Sequence, residues 1–222
     1  MKKQVLVACG GIGGMAAALG AARTGWDVRL YERAPVCSGV GAGVQLSPNV
    51  VRCLQAWGLQ KPLQAVAAFP ERLRVRCATS GAVLAALPLG ADMVQRYGAA
   101  YASIHRGDLH ALLRAAVDQE SSVQINAGQA ISSYTEADGA VLVRTSQDRE
   151  IEGDALIGAD GLRSTIRAQL LGDGAPRVSG HLAYRALVVQ SALPAALRTN
   201  EVTAWLGPRL HAVQYPVRGG EL

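Results

Sequence analysis

Hydrophobic residues follow three patterns along this chain, and each predicts a different element. Val5-Leu6-Val7-Ala8 and Ala155-Leu156-Ile157 are continuous apolar runs, as in short strands buried on both faces. Met15, Leu19 and Ala22 recur at helical spacing after a glycine-rich turn over residues 9–14, and Gly25 ends that helix. Val28, Leu30 and Tyr31 then carry a strand with Glu32 at its end. A second helical stripe, Val50, Val51, Leu54 and Trp57, has Ser47 as its N-cap, Pro48 at the first helical position and Gly58 as its stop. A third, Leu109, Leu112, Leu113 and Ala116, predicts a helix over 104–117, and a fourth helix is expected over 162–171, stopped by Gly172. Strict alternation is the third pattern. Leu73, Val75 and Cys77 alternate with Arg72, Arg74 and Arg76, and a turn at Ser80-Gly81 allows 83–87 to return antiparallel. Residues 88–98 read as a loop.

Alternation at 123–125, 130–134, 141–143 and 150–152, with Asp138-Gly139 as a hairpin turn, predicts a small antiparallel ribbon. From 181 onward the chain reads as strands over 182–190, 201–206 and 211–217, separated by Pro194, Gly207-Pro208 and Gly219-Gly220. It stops just after that last turn, as though another strand were starting, and the expectation is an N-terminal portion of a longer protein. The fold class is α/β, with a nucleotide-binding domain over 1–70 and 99–178 interleaved with a partial antiparallel sheet domain over 71–98 and 179–222.

Strand, glycine turn, helix, strand and terminal acid form the layout of a dinucleotide site. Glycines let backbone approach a pyrophosphate, the helix N-terminus offers free N–H groups, and an acid about 20 residues on can take ribose hydroxyls. Two registers fit. In the first, Cys9-Gly10-Gly11-Ile12-Gly13-Gly14, a cysteine stands at the position of the tight turn; in the second, the pattern starts at Gly11 and ends at Ala16. The first is preferred, because the second puts the turn two residues into the helix. Three further features fit an anionic ligand or a planar ring. Arg106 stands at a helix N-terminus, where a cation is unexpected unless an anion is shared. Asp160 ends a buried strand, where α/β sheets place ligand contacts, although a helix cap explains it too. Gly39, Gly41 and Gly43 form a loop that is either a simple connection or backbone packed against a ring.

Composition narrows the classes. The chain has 222 residues, half of them hydrophobic, with 25 glycines and a net charge of +5, its basic residues dispersed. That suits a globular α/β protein and small anionic ligands, and argues against a nucleic-acid partner. Cys9, Cys37, Cys53 and Cys77 show neither metal-ligand nor disulfide spacing, so no metal site is expected and free thiols in a reducing cytoplasm are the default. Lys2-Lys3 and the following apolar residues are too short a stretch for a signal peptide, which needs an apolar region of about 7–15 residues. No stretch suggests a membrane span.

The stretches around Cys9–Gly14 and Glu32-Arg33, Gly41–Asn49, Ile104–Leu113, Leu156–Arg167 and Tyr215–Leu222 together resemble the FAD-dependent aromatic hydroxylases, specifically the salicylate hydroxylase and 3-hydroxybenzoate 6-hydroxylase group. The resemblance runs over essentially the whole chain. It implies a Rossmann-like FAD-binding domain, FAD as cofactor, NADH or NADPH as reductant and O2 as co-substrate. A flavin hydroperoxide would hydroxylate a phenolic aromatic acid. By the same resemblance Gly11 and Gly14 would approach the FAD pyrophosphate, Glu32 the adenosine ribose with Arg33 beside it, and Arg106 the pyrophosphate and ribityl chain. Asp160-Gly161 would serve FAD and the nicotinamide nucleotide, and Val44, in the 41–45 loop, the flavin ring. His211 and Tyr215, four residues apart as in the family's substrate pair, would contact the phenol. On one strand that spacing puts both on one face. Two departures stand out: Cys9 replaces a glycine, and the family's later Gly-Asp motif is missing because the chain ends first. A protein ending there is expected to bind FAD weakly and hydroxylate little. The rival readings are a flavin oxidoreductase that does not hydroxylate and a non-catalytic FAD- or nucleotide-binding fragment. The sequence is silent on oligomeric state and leaves a homo-oligomer open.

Overall fold

Apolar runs and glycine stops set the order of elements at the start of the chain: β1 (Gln4–Ala8), α1 (Ile12–Arg23) and β2 (Asp27–Glu32). Next come β3 (Gly43–Leu46), α2 (Pro48–Ala56), α3 (Gln60–Val66) and β4 (Ala67–Ala68). The hairpin β5 (Arg72–Cys77) and β6 (Val83–Pro88) precedes α4 (Ala91–Tyr97), β7 (Ala102–His105) and α5 (Arg106–Val117). β8 (Val123–Ala127), β9 (Ile131–Ala137), β10 (Ala140–Thr145), β11 (Glu150–Gly153) and β12 (Ala155–Gly158) follow, then α6 (Thr165–Leu171), β13 (Val202–Gly207) and β14 (Leu210–Gln214). The structure, a computed structural model, describes residues 2–37 and 41–221. Gly39 of the expected glycine loop lies outside the described residues.

The chain forms two units, Met1–Gly39 with His110–Ala183 and Val40–Leu109 with Tyr184–Leu222. Residues 41–70 and 99–109 thus group with the second unit, whereas the sequence placed them with the nucleotide-binding domain. Their strands explain this: β3 and β4 both pair antiparallel with β7 in one small sheet.

In the first unit the parallel sheet runs β12-β1-β2-β8. Val5, Leu6, Val7 and Ala8 are all buried, as a central strand covered on both faces requires. Val7 faces α1, whose Gly14 lies against it. Leu6, Ala8 and Tyr31 face the other way and form one core with Ile131, Val143 and Ile166. That core is roofed by the antiparallel meander β11-β10-β9. Asp138 and Gly139 both have positive φ, 53° and 78°, the conformation of the tight two-residue hairpin turn expected there. One assignment changes. Residues 123–125 do not belong to the ribbon; β8 pairs parallel with β2 at the sheet edge, following α5 as a strand follows a crossover helix.

In the second unit the sheet order is β14-β13-β5-β6. The β5–β6 hairpin forms as expected, and β13 pairs parallel with β5. Residues 182–190 do not form the expected strand. Leu182 and Tyr184 are 81% and 93% exposed, and the segment contributes only an isolated bridge from Val189 to Glu221 among the described residues. Residues 88–98 are not a plain loop either: α4 forms there, with Asp92 in its first turn and Gly98, at φ 77°, ending it.

Candidate functional site

β1 ends at Ala8, and the chain turns at once. Cys9 has φ 83° and Gly11 is the N-cap of α1. The first register is therefore the one adopted: the cysteine occupies the left-handed position that glycine fills without strain. A Cβ on Gly14 would lie 1.7 Å from the Cys9 carbonyl oxygen, so only glycine lets the helix seat against the turn. The first-turn N–H groups of α1 have no intrahelical acceptor and sit at the positive end of the helix dipole. Such a turn has the chemistry of a phosphate cradle, and its glycine contacts leave room for a dinucleotide.

Glu32 closes one side of the turn. Its Oε2 accepts the Gly10 N–H at 2.6 Å and the Cys9 thiol at 3.3 Å, and its Oε1 accepts the Ala34 N–H at 2.8 Å. Burial alone would push the carboxyl up. The Ala34 and Gly10 N–H groups, the Cys9 thiol and the Arg33 charge more than offset this and hold it below its ordinary 4.5. Arg33 itself is exposed. Burial raises the Cys9 thiol despite the Gly11 N–H directed at it, and Glu32 adds to the rise; burial likewise raises Cys37. Both remain protonated at neutral pH, which is the wrong state for a nucleophile.

The Cys9 sulfur thus occupies both the Gly11 N–H and one oxygen of Glu32. Cys9→Gly is expected to release both and relieve a left-handed residue, which costs about 1–2 kcal/mol. The added freedom of the unfolded chain offsets about half of that. The expected result is a melting temperature that is unchanged or slightly raised, with severalfold tighter FAD binding by fluorescence titration. Weaker binding would mean that the sulfur is itself a useful contact.

Asp160 follows β12, next to β1 in the sheet. Its Oδ2 accepts the Thr165 and Ile166 N–H groups at 2.7 and 3.2 Å, and its Oδ1 accepts the Ser164 hydroxyl. Ser164 in turn accepts the Arg167 N–H at 2.9 Å. Ser164 is thus the N-cap of α6, Asp160 adds a carboxylate on the first two N–H groups of the helix, and Gly161 makes the intervening turn at φ 78°. The helix starts at Thr165 rather than at 162 because this cap fixes its first turn.

In the second unit, Gly41 at φ 144° lies against Arg106, whose Cδ would be 2.9 Å from a Cβ there. Arg106 opens α5 and donates its backbone N–H to the Ala42 carbonyl at 3.0 Å. Beside it, Val44 is half-buried on β3. A Cβ on Gly43 would meet the Tyr215 ring at 2.5 Å, and the Tyr215 hydroxyl donates to the Gly43 carbonyl at 2.6 Å. His211 and Tyr215 do not lie on one strand. β14 ends at Gln214, two residues before Pro216, so Tyr215 is off the strand and half-buried while His211 is exposed on it. Tyr101, which donates to Gln45 Oε1, and His110, buried with its Nε2 2.8 Å from the Gly10 carbonyl, were not singled out from sequence. His110 is hidden inside an apolar helical stripe, and only its departure from that stripe's polarity marks it.

A cavity of about 530 Å³ lies elsewhere, lined by Arg29, Tyr31, Gln124 and Asn126 on the sheet face opposite α1. It lacks the glycine turn of residues 9–14. Among the described residues, no cluster of His, Cys, Asp or Glu could hold a metal ion, and no helix is long and apolar enough to cross a membrane.

Comparison with known proteins agrees with this geometry. Residues 2–207 match the FAD binding domain family. The chain is 39% identical over 217 residues to 3-hydroxybenzoate 6-hydroxylase of Polaromonas naphthalenivorans (strain CJ2), covering 98% of this chain and 54% of that protein. It is 36% identical to 6-hydroxynicotinate 3-monooxygenase of Bordetella bronchiseptica, covering 98% and 56%. The structure of Klebsiella pneumoniae HpxO complexed with FAD and uric acid superposes with a TM-score of 0.80 at 25% identity, over 99% of this chain and 54% of that one. The chain spans about half the length of the curated relatives it matches. A glycine turn sealed at Gly14, an acid at the end of β2 and a family match over nearly the whole chain lead to one conclusion: the chain belongs to the FAD binding domain family.

Proposed function

We propose that this chain forms the FAD-binding part of an NAD(P)H- and O2-dependent monooxygenase that hydroxylates a phenolic aromatic acid. The observation that carries the reading is the turn at Cys9–Gly14, closed by Gly14 against the Cys9 carbonyl and flanked by Glu32. Gly11 and Gly14 bring backbone to the pyrophosphate. Glu32 takes the adenosine ribose, with Arg33 adding positive charge beside it. Asp160-Gly161 contributes from the end of β12, its carboxylate also capping α6. In the second unit, Arg106 and Val44 are the residues assigned to FAD. When bound, FAD supplies electron transfer and oxygen activation.

For the phenol, Tyr215 and His211 have different chemistry. Burial pushes the Tyr215 phenol above its ordinary 10, partly countered by Arg185. It stays a neutral donor and is held by the Gly43 carbonyl. Tyr215 therefore positions, and His211, whose imidazole can act as a general base, is the group assigned to the substrate's phenolic proton. The substrate class follows the relatives named above, two of which are named for hydroxylated ring acids. The cytoplasm is the proposed compartment, supported by four free cysteines.

The test is FAD titration of the purified chain, followed by NADH and NADPH oxidation with 3-hydroxybenzoate and related acids. Saturable flavin quenching and substrate-stimulated oxidation with stoichiometric hydroxylated product are expected. Oxidation without hydroxylated product would favour a non-hydroxylating oxidoreductase. Flavin binding without either activity would favour a binding fragment.

A further inference from the structure

We propose that His110 is a positioning residue for the phosphate turn, aiming the Gly11 N–H by holding the Gly10 carbonyl. This rests on the FAD reading above. His110 is 3% exposed on α5, 100 residues from the turn, and its Nε2 lies 2.8 Å from the Gly10 oxygen. A carbonyl only accepts, so Nε2 carries the proton, and this contact fixes the tautomer.

The consequence lies in the peptide plane. In a trans peptide the C=O and the following N–H point in opposite directions. Gly10 and Gly11 are joined by a peptide that no flanking side chain restrains, the kind that rotates most freely. With its carbonyl held on the α5 side, the N–H of Gly11 faces the Glu32 side, where it now meets the Cys9 sulfur. The preceding peptide is fixed in the same manner. Glu32 holds the Gly10 N–H at 2.6 Å, and the Cys9 carbonyl points away, against Gly14. Two consecutive peptides are therefore set by two side chains, one acidic and one imidazole. Released from His110, the Gly10 carbonyl could swing toward the cradle and oppose a pyrophosphate.

The test compares His110→Met with His110→Gln in the 222-residue chain. The two side chains match in length; glutamine keeps an N–H donor and methionine, comfortable in a buried site, does not. Flavin fluorescence titration is expected to show FAD affinity reduced on the order of tenfold in H110M, as for a lost buried hydrogen bond, and largely restored in H110Q. Without FAD, the Gly11 amide is expected to shift in the 15N spectrum and exchange faster in H110M, with H110Q close to wild type. Equal FAD affinity and equal Gly11 exchange in the two variants would overturn the proposal while leaving the FAD reading intact. If the wild-type chain fails to bind FAD at all, the FAD reading fails and this proposal with it.

Discussion

Gly14→Ala is expected to abolish the native turn and to cost more than about 3 kcal/mol, beyond ordinary overpacking. The added methyl would sit 1.7 Å from the Cys9 oxygen and 2.9 Å from its carbonyl carbon. Both are backbone atoms at the end of a central strand, so no rotamer change relieves the overlap. The helix would have to lift from β1, uncovering Val7, which is fully buried. Helix propensity pulls the other way, because alanine is favoured over glycine by about 1 kcal/mol in a helix interior. Gly13→Ala supplies the contrast. A Cβ there meets only the Ala159 Cβ at 3.9 Å, an ordinary contact, so this variant should be neutral or slightly stabilising. Urea melts of the two variants without FAD give the comparison. A stable, two-state Gly14→Ala protein would show that the helix does not seat as described.

The second large effect is at Glu32. Removing its carboxylate with Glu32→Ala leaves the Gly10 and Ala34 N–H groups without their acceptor and at once removes the carboxylate proposed for the adenosine ribose. Stability should fall by about 2–3 kcal/mol, and FAD titration should show little binding. The pH dependence separates charge from packing. The folded-state carboxyl is held below its ordinary 4.5, so on acidification the unfolded chain takes up the proton first. Its contribution is therefore fully present above about pH 4.5 and is lost as pH falls through the lower folded value. Against Glu32→Gln, the wild-type advantage should be constant from neutral pH down to about 5 and shrink below it. An advantage unchanged across the acid range would mean that the carboxylate contributes through shape alone.

Much of this site was legible because it is local. The β1-turn-α1-β2 unit occupies residues 4–32, and its strand run, glycine spacing and terminal acid each constrain the same backbone. What sequence could not decide was partnership. Alternation at 123–125 identifies a strand but not the sheet it joins, and β8 joined the parallel one. The apolar residues of 182–190 fit a strand, yet a strand requires a neighbour with free N–H and C=O groups, and this segment has little beyond one bridge at Val189. Asp160 shows the same limit at the scale of one side chain. Its position at a strand end favours a ligand role and a cap equally, and only the Thr165 and Ile166 N–H contacts display the cap. The four-residue interval from His211 to Tyr215 puts both on one face only where a strand holds both, and β14 ends at Gln214.

The pairing of β1 also sets a timetable. One neighbour, β2, follows within thirty residues, but the other, β12, brings Asp154 to Gln4 from 150 residues away. At roughly 5–20 residues per second of synthesis, β12 emerges on the order of ten seconds after β2. Throughout that interval β1, the most buried strand of the finished sheet, has one open edge, and open apolar edges recruit other chains. The cofactor turn sits at the end of this strand. It is therefore encoded early and completed late, and the nascent chain should be most dependent on chaperones between those two moments.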